Sequence, residues 1–249
     1  MVPFLLSLRQ FISDYKMLVA SNLSVGYYTS ARSLIVPLSN VSLELDTSRL
    51  TCIVGNNGSG KSTLIRTMAG LQKPVSGSVS LNLPQCSHDI HSLDPRQLSR
   101  YVSVVLTDRL YYDYLTAFDV VSTGRSPYNG LFASLSEEDL NIIRYSFEVT
   151  GTANLQHRMM NELSDGERQK ILVAKSIAQQ TPVILLDEPS AFLDYQSKTE
   201  LMRLLARLAH EEGRTILISS HDLDIVGKTA DIFWVIENGE IHVSNSLTF

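Results

Sequence analysis

Eight consecutive residues, Gly55, Asn56, Asn57, Gly58, Ser59, Gly60, Lys61 and Ser62, fit the pattern G-x-x-x-x-G-K-[ST], with Thr63 directly after them. Glycines let such a loop curl until successive backbone N–H groups point inward at phosphate, and a helix that starts at its end adds the positive end of its dipole. Lys61 then reaches the β- and γ-phosphates of a nucleotide. The Ser62 hydroxyl becomes a ligand for Mg²⁺, an ion that keeps several waters and takes few protein ligands. An ordinary glycine-rich turn has no need of a Lys-Ser pair at this place, so the phosphate reading is preferred.

A second chemical pair follows far downstream. Val183-Ile-Leu-Leu is an apolar run that ends on Asp187-Glu188. A buried strand would deliver Asp187 at its carboxyl end, where a carboxylate can orient Mg²⁺ or its waters. Glu188, one residue on, is the candidate to position and polarise an attacking water. Two acids after a strand can equally be a solvated turn. The phosphate loop decides between the two in favour of chemistry.

The elements that position these residues are legible from periodicity. Val41, Leu43 and Leu45 alternate with polar residues, as do Val79, Leu81 and Leu83, the pattern of half-buried antiparallel strands. Leu50 to Val54, Val183 to Leu186 and Thr215 to Ile218 are instead short, continuous apolar runs, as in parallel strands covered on both faces. Phe233 to Ile236, Asn238-Gly239 and Ile241 to Val243 read as a hairpin, because Asn-Gly adopts the positive φ angles of a two-residue turn. Leu64, Met68 and Leu71, and later Leu201, Leu204, Leu205 and Leu208, form helical stripes between the strands. This alternation predicts an α/β core with an antiparallel β subdomain. From Asp108 to Glu162 the strand signal fades. There Ser136-Glu-Glu-Asp, with Leu140, Ile143 and Phe147 and a stop at Gly151, describes a capped helix. Residues 108–162 are therefore expected to form an inserted helical subdomain.

Composition narrows the classes. The chain has 249 residues, 44% of them hydrophobic, enough for a sizeable core. With 21 Lys+Arg against 26 Asp+Glu, no global field draws it to nucleic acid or anionic lipid. Cys52 and Cys86 have no zinc-like spacing with each other or with His88 and His91, and read as idle thiols. No apolar stretch approaches the ~18 residues that span a bilayer. Residues 1–16 lack the marks of a secretory signal and are read as an extension of no assigned role, ahead of a single domain over 17–249.

Leu163-Ser-Asp-Gly-Glu-Arg-Gln-Lys170 resembles the signature motif of the ABC family of ATPases, commonly LSGGQ, with Asp165 and Glu167 as departures. It is also a helix start, since Ser164 and Glu167 form a capping box. The resemblance extends in order from Leu18 onward, and it implies a P-loop NTPase core of the ABC type that binds ATP and Mg²⁺. By that resemblance Ser164 and Gly166 contact the γ-phosphate on a partner subunit. Ser190-Ala-Phe-Leu-Asp194 is similar to the D-loop, with Asp194 at the shared site, and His221 to the switch histidine that contacts the γ-phosphate. Tyr27 is similar to the aromatic that stacks on adenine. One position departs: Thr107 stands where the family has a glutamine linking Mg²⁺ to the helical subdomain and the permease. A hydroxyl is shorter than an amide, so Thr107 is expected to meet the metal through a water, with coupling altered rather than hydrolysis lost.

What the resemblance implies is a homodimer of ATPase subunits closing head to tail on ATP. It would sit on the cytoplasmic side of the cell membrane, bound to integral membrane permease subunits and, for an importer, served by a substrate-binding protein. Leu115 to Tyr128 resembles the corresponding segment in importers of iron-siderophore, haem and vitamin B12. The permease is expected to dock near Thr107 to Tyr128. A C-terminal regulatory domain is not expected. Three rivals stay open at this point: a permease-free ABC ATPase of the iron-sulfur assembly type, an exporter ATPase, and a nucleotide-binding regulator, the last disfavoured by Glu188. An ABC translation factor would carry two cassettes and a basic surface, so no nucleic-acid partner is expected.

Overall fold

The computed structural model describes residues 16–83, 85–106, 112, 114–129 and 134–247. The strands, in chain order, are β1 (Lys16–Tyr28), β2 (Leu34–Asp46), β3 (Leu50–Gly55), β4 (Ser76–Leu83), β5 (Cys86–Asp89), β6 (Val102–Val105), β7 (Val183–Leu186), β8 (Thr215–Ser219), β9 (Ile232–Glu237) and β10 (Glu240–Ser244). The main helices are α1 (Lys61–Met68), α2 (Ala117–Ser122), α3 (Glu137–Val149), α4 (Asp165–Ala178) and α5 (Tyr195–His210). Except for Lys16, which opens β1, the N-terminal extension lies outside the described residues.

The strands make two sheets. One is antiparallel, in the order β2-β1-β4-β5. The other runs β10-β9-β3-β8-β7-β6 and is parallel from β9 to β6, with β10 folded back antiparallel on β9. Asn238 at φ 51° and Gly239 at φ 82° make that hairpin turn, as the Asn-Gly pair predicts.

Every residue of β7 and β8 is buried. Alternate side chains of the central strands enter opposite cores, because strand side chains point to opposite faces with period two. Ile53, Leu185 and Leu217 face the antiparallel sheet and join α1 through Leu64, Ile65 and Met68. Cys52, Ile184, Leu186, Ile216 and Ile218 face the other way and meet Leu201, Leu205 and Leu208 of α5. Burial pushes the Cys52 thiol far above its ordinary range, with Lys61 opposing weakly, so this cysteine is inert. The stripe expected to include Leu71 is shorter than the sequence suggests. Helix α1 stops at Met68, Gly70 turns at φ 73°, and Leu71 is left 57% exposed.

A third core binds the helices together: Val120 and Val121 of α2, Ile143 and Phe147 of α3, and Ile171, Ala174 and Ala178 of α4. Helix α3 begins in a capping box, with Ser136 as N-cap and Asp139 reaching back to it. Asp139 does more than cap. Its carboxylate also takes Nε of Arg125 at 2.8 Å and Nδ2 of Asn129 at 2.6 Å, while Arg125 donates to the carbonyl of Ala178 at 2.8 Å. Both side chains of the ion pair are nearly inaccessible, 7% and 5% exposed.

Burial raises the affinity of Asp139 for its proton, but the bonds from Ser136, Arg125 and Asn129 outweigh it and hold the carboxyl well below the usual carboxylate range. A depressed folded-state pKa stabilises the fold above the unfolded value of about 4, and that contribution is lost as pH falls through the folded value. Asp139→Asn is therefore expected to cost about 3 kcal/mol at neutral pH, since it leaves Arg125 buried without its counter-charge. Urea melts from neutral pH down to strongly acid conditions should show the wild type losing stability below about pH 4 more steeply than the variant.

Candidate functional site

Helix α1 starts directly after the loop that leaves β3. Its N-cap is Gly60 at φ 104°, and Gly58 is at φ 79°, two left-handed positions where a side chain would be strained. No side chain caps this helix end, so its first N–H groups face the loop. Lys61 is buried and arches over the loop to donate to the carbonyls of Gly55 at 2.8 Å and Asn56 at 3.1 Å. The Ser59 hydroxyl is buried and makes no hydrogen bond, a polar atom that the loop itself leaves unsatisfied. A helix start without a side-chain cap, a buried lysine and a spare hydroxyl fit an anionic phosphate chain. Asn56, Asn57 and Ser62 are exposed, and Thr63 is half-buried.

The acids arrive two strands away. Strand β8 lies between β3 and β7, pairing Ile53 with Ser219 and Ile218 with Leu186 in parallel. All three carboxyl ends therefore share one edge, with β3 and β7 about 10 Å apart. Asp187 is only 2% exposed. It accepts a bond of 2.6 Å from Ser219 Oγ, and its N–H donates to the carbonyl of Val105 at 2.8 Å. Glu188 sits at φ 47°, a left-handed conformation that is costly for a side-chain-bearing residue. Its N–H donates to Ser219 Oγ at 2.8 Å. His221 follows β8 on the same edge, half exposed, with Nδ1 at 3.7 Å from Glu188 Oε1. That separation is too long for a direct hydrogen bond, but one bridging oxygen can span it.

Three residues that hold these loops escaped the motif reading. Ser219 links both acids, and Asp222, next to His221, accepts from Lys198 Nζ at 3.1 Å and from Ser190 Oγ at 3.3 Å. The sequence signal for Ser219 and Asp222 is the run of polar side chains that ends an otherwise apolar strand, and Lys198, within α5, has none.

Ser164 is the N-cap of α4. It accepts the Glu167 N–H at 3.3 Å and gives its own N–H to Glu167 at 2.9 Å, so the expected capping box is present. Bonds from the Ser164 backbone and hydroxyl lower the Glu167 carboxyl below its ordinary range. A Cβ on Gly166 would lie 3.2 Å from Leu193 and 3.3 Å from the carbonyl of Phe192, so the helix start packs on the segment before α5. Asp194 caps α5, accepting from Ser197 N–H at 2.9 Å. Tyr27 is 46% exposed and pairs with Ile35, two residues along β2 from Pro37, which packs against Gly60. Tyr28 points to the opposite strand face. Thr107, expected near the metal, lies outside the described residues.

The donor set at this edge, the Ser62 hydroxyl and the Asp187 carboxylate, is all oxygen, which suits a hard ion such as Mg²⁺ that brings waters and phosphate oxygens of its own. Among the described residues no group of three or more His, Cys, Asp and Glu could cage a metal.

Glu188→Gly relieves the left-handed strain and is expected to raise thermal stability by about 0.5 kcal/mol, after the added freedom of the unfolded chain is offset. Differential scanning calorimetry checks this. A lower Tm would mean that the conformation carries no strain.

The chain is similar to known proteins in sequence and in fold. The family described as ABC transporter matches residues 38–191. An uncharacterised ABC transporter ATP-binding protein of Methanocaldococcus jannaschii is 41% identical over 225 residues, 90% of this chain and 74% of that protein. The iron(3+)-hydroxamate import ATP-binding protein of Bacillus subtilis is 32% identical over 83% of this chain and 75% of its own length. A dimeric bacterial ABC transporter cassette superposes with a TM-score of 0.80 at 24% identity, covering 94% of this chain and all of that one (100%), which establishes the shared fold. The chain belongs to the ABC transporter family, as one of its ATP-hydrolysing subunits.

Proposed function

We propose that two copies of this chain close head to tail on ATP and drive a membrane permease that imports an iron-siderophore, haem or cobalamin-type substrate. The observation that carries the hydrolytic part is the meeting of Lys61, Asp187, Glu188 and His221 at one edge of three adjacent parallel strands. The importer part is supported by the iron(3+)-hydroxamate import relative and by the segment Leu115 to Tyr128.

In this reading the backbone N–H groups of Gly58 to Thr63 and the Lys61 ammonium hold the β- and γ-phosphates, and Tyr27 stacks on adenine. Ser62 and Asp187 would hold Mg²⁺, which when bound neutralises phosphate charge. Glu188 accepts a hydrogen bond from the attacking water and aligns it with the γ-phosphorus, while His221 donates to a γ-phosphate oxygen. Most of the rate enhancement is positioning and charge neutralisation, as expected for phosphoryl transfer. Ser164 and Gly166, with the N-terminus of α4, would close on the γ-phosphate held by the other copy, and Asp194 would stand at the shared interface. No helix among the described residues is long and apolar enough to cross a membrane. In the proposed assembly the permease holds the chain at the cytoplasmic face, and a substrate-binding protein supplies the permease from the other side.

Glu188→Gln should keep ATP binding, slow turnover by about 10²-fold or more, and trap the dimer. Lys61→Ala should instead lose binding itself. Both are read by nucleotide titration, phosphate release and light scattering, and undiminished turnover in Glu188→Gln would remove Glu188 from its role. Co-purification from membranes with an integral permease tests the transport partner. Recovery of the chain only with soluble partners would overturn that part of the proposal.

A further inference from the structure

Ser219 belongs to none of the motifs that mark the site, yet it touches both acids. It is the last residue of β8 and is fully buried, 0% exposed. Its Oγ lies 2.6 Å from Asp187 Oδ1 and 2.8 Å from the Glu188 nitrogen. An amide N–H can only donate, so Oγ accepts there, and its single proton is left for the carboxylate. Both bonds therefore have a fixed direction, from N–H to hydroxyl to carboxylate. The hydroxyl is itself tied to the strand that carries the phosphate loop: Ser219 pairs with Ile53, and the next N–H, of Ser220, donates to the Ile53 carbonyl at 3.1 Å.

We propose that Ser219 is a positioning residue of the hydrolytic site, setting the aim of the Asp187 carboxylate and holding the Glu188 backbone in its left-handed conformation. One oxygen atom thereby references both acids to the phosphate loop. Without it the Glu188 N–H loses its acceptor in a largely buried place, and the strained φ of 47° loses a bond that holds it. The Asp187 carboxylate would lose the hydroxyl that donates to its Oδ1. This inference rests on the roles proposed above for Asp187 and Glu188.

The test compares full-length wild type, Ser219→Ala and Ser219→Thr, the last of which keeps the hydroxyl, and adds Ser219→Cys as a weaker donor in case packing decides the first two. Ser219→Ala is expected to lower kcat about tenfold, with KM for ATP changed less than about twofold and more Mg²⁺ needed for half-maximal rate. Ser219→Thr should restore most of kcat, and Ser219→Cys should fall between. In nucleotide-free protein the Glu188 amide should exchange with deuterium at least about tenfold faster in Ser219→Ala, read by NMR without any turnover. In a Glu188→Gln background, adding Ser219→Ala should cause a smaller further loss than it does in the wild type, because only the part carried through Asp187 remains. Wild-type kcat and Mg²⁺ dependence in Ser219→Ala would overturn the positioning role, as would a loss fully additive with Glu188→Gln. Full turnover in Glu188→Gln alone would instead overturn the reading on which this rests.

Discussion

The parallel register of three central strands is the constraint on which the rest of this molecule depends. Ile53 of β3 pairs with Ser219 of β8, and Ile218 of β8 pairs with Leu186 of β7. Parallel strands all end on the same edge, and each must be covered on both faces, which is why β7 and β8 read as unbroken apolar runs. The polar residues that follow each run have nowhere to go but the exposed edge. There the phosphate loop, the paired acids and the histidine stand on one edge of the sheet. A slip of one residue in β8 would turn Ser219 toward the opposite face and separate its hydroxyl from Asp187.

Around that edge the fold accepts local costs that the packed core offsets. Glu188 is held left-handed, and Asp187 is a carboxylate almost out of water. Neither is left to itself, because Ser219 serves both. The neighbouring loops are tied in the same manner. Asp222 joins Lys198 of α5 to Ser190, and the start of α4 at Gly166 rests on Phe192 and Leu193. A displacement of the segment between Ser190 and Asp194 would therefore be felt on one side at the His221 loop and on the other at the signature helix. That is a contiguous set of contacts, two hydrogen bonds of 3.1 and 3.3 Å and one close backbone approach, between the two parts of the chain that the proposed dimer would bring to different nucleotides.

The helical layer depends on a different interaction. Arg125 and Asp139 form a buried pair that joins the start of α3 to the end of α4 through the Ala178 carbonyl. Buried ion pairs contribute little net stability but penalise any arrangement that separates them. The pair thus favours one orientation of α3 against α4, the helix that carries Ser164 and Gly166. Arg125 does so from the Ala178 end of α4, opposite the Ser164 cap.

The sequence by itself determined whatever depends on near neighbours along the chain. The loop from Gly55 to Thr63, the capping boxes at Ser136 and Ser164, the Asn238-Gly239 turn and the fully buried character of β7 and β8 all follow from local sterics, hydrogen bonding and period. Where local reading overran, as at Leu71, a glycine in the left-handed region had already ended the helix. Tertiary structure alone decided which strand lies beside which. It therefore decided that Ser219, thirty-two residues beyond Asp187, is the hydroxyl that meets it, that Lys198 meets Asp222, and that Gly166 packs on Phe192. Those contacts depend on the order and register of strands distant in sequence, and a serine at the end of an apolar strand looks the same whether or not an acid stands opposite.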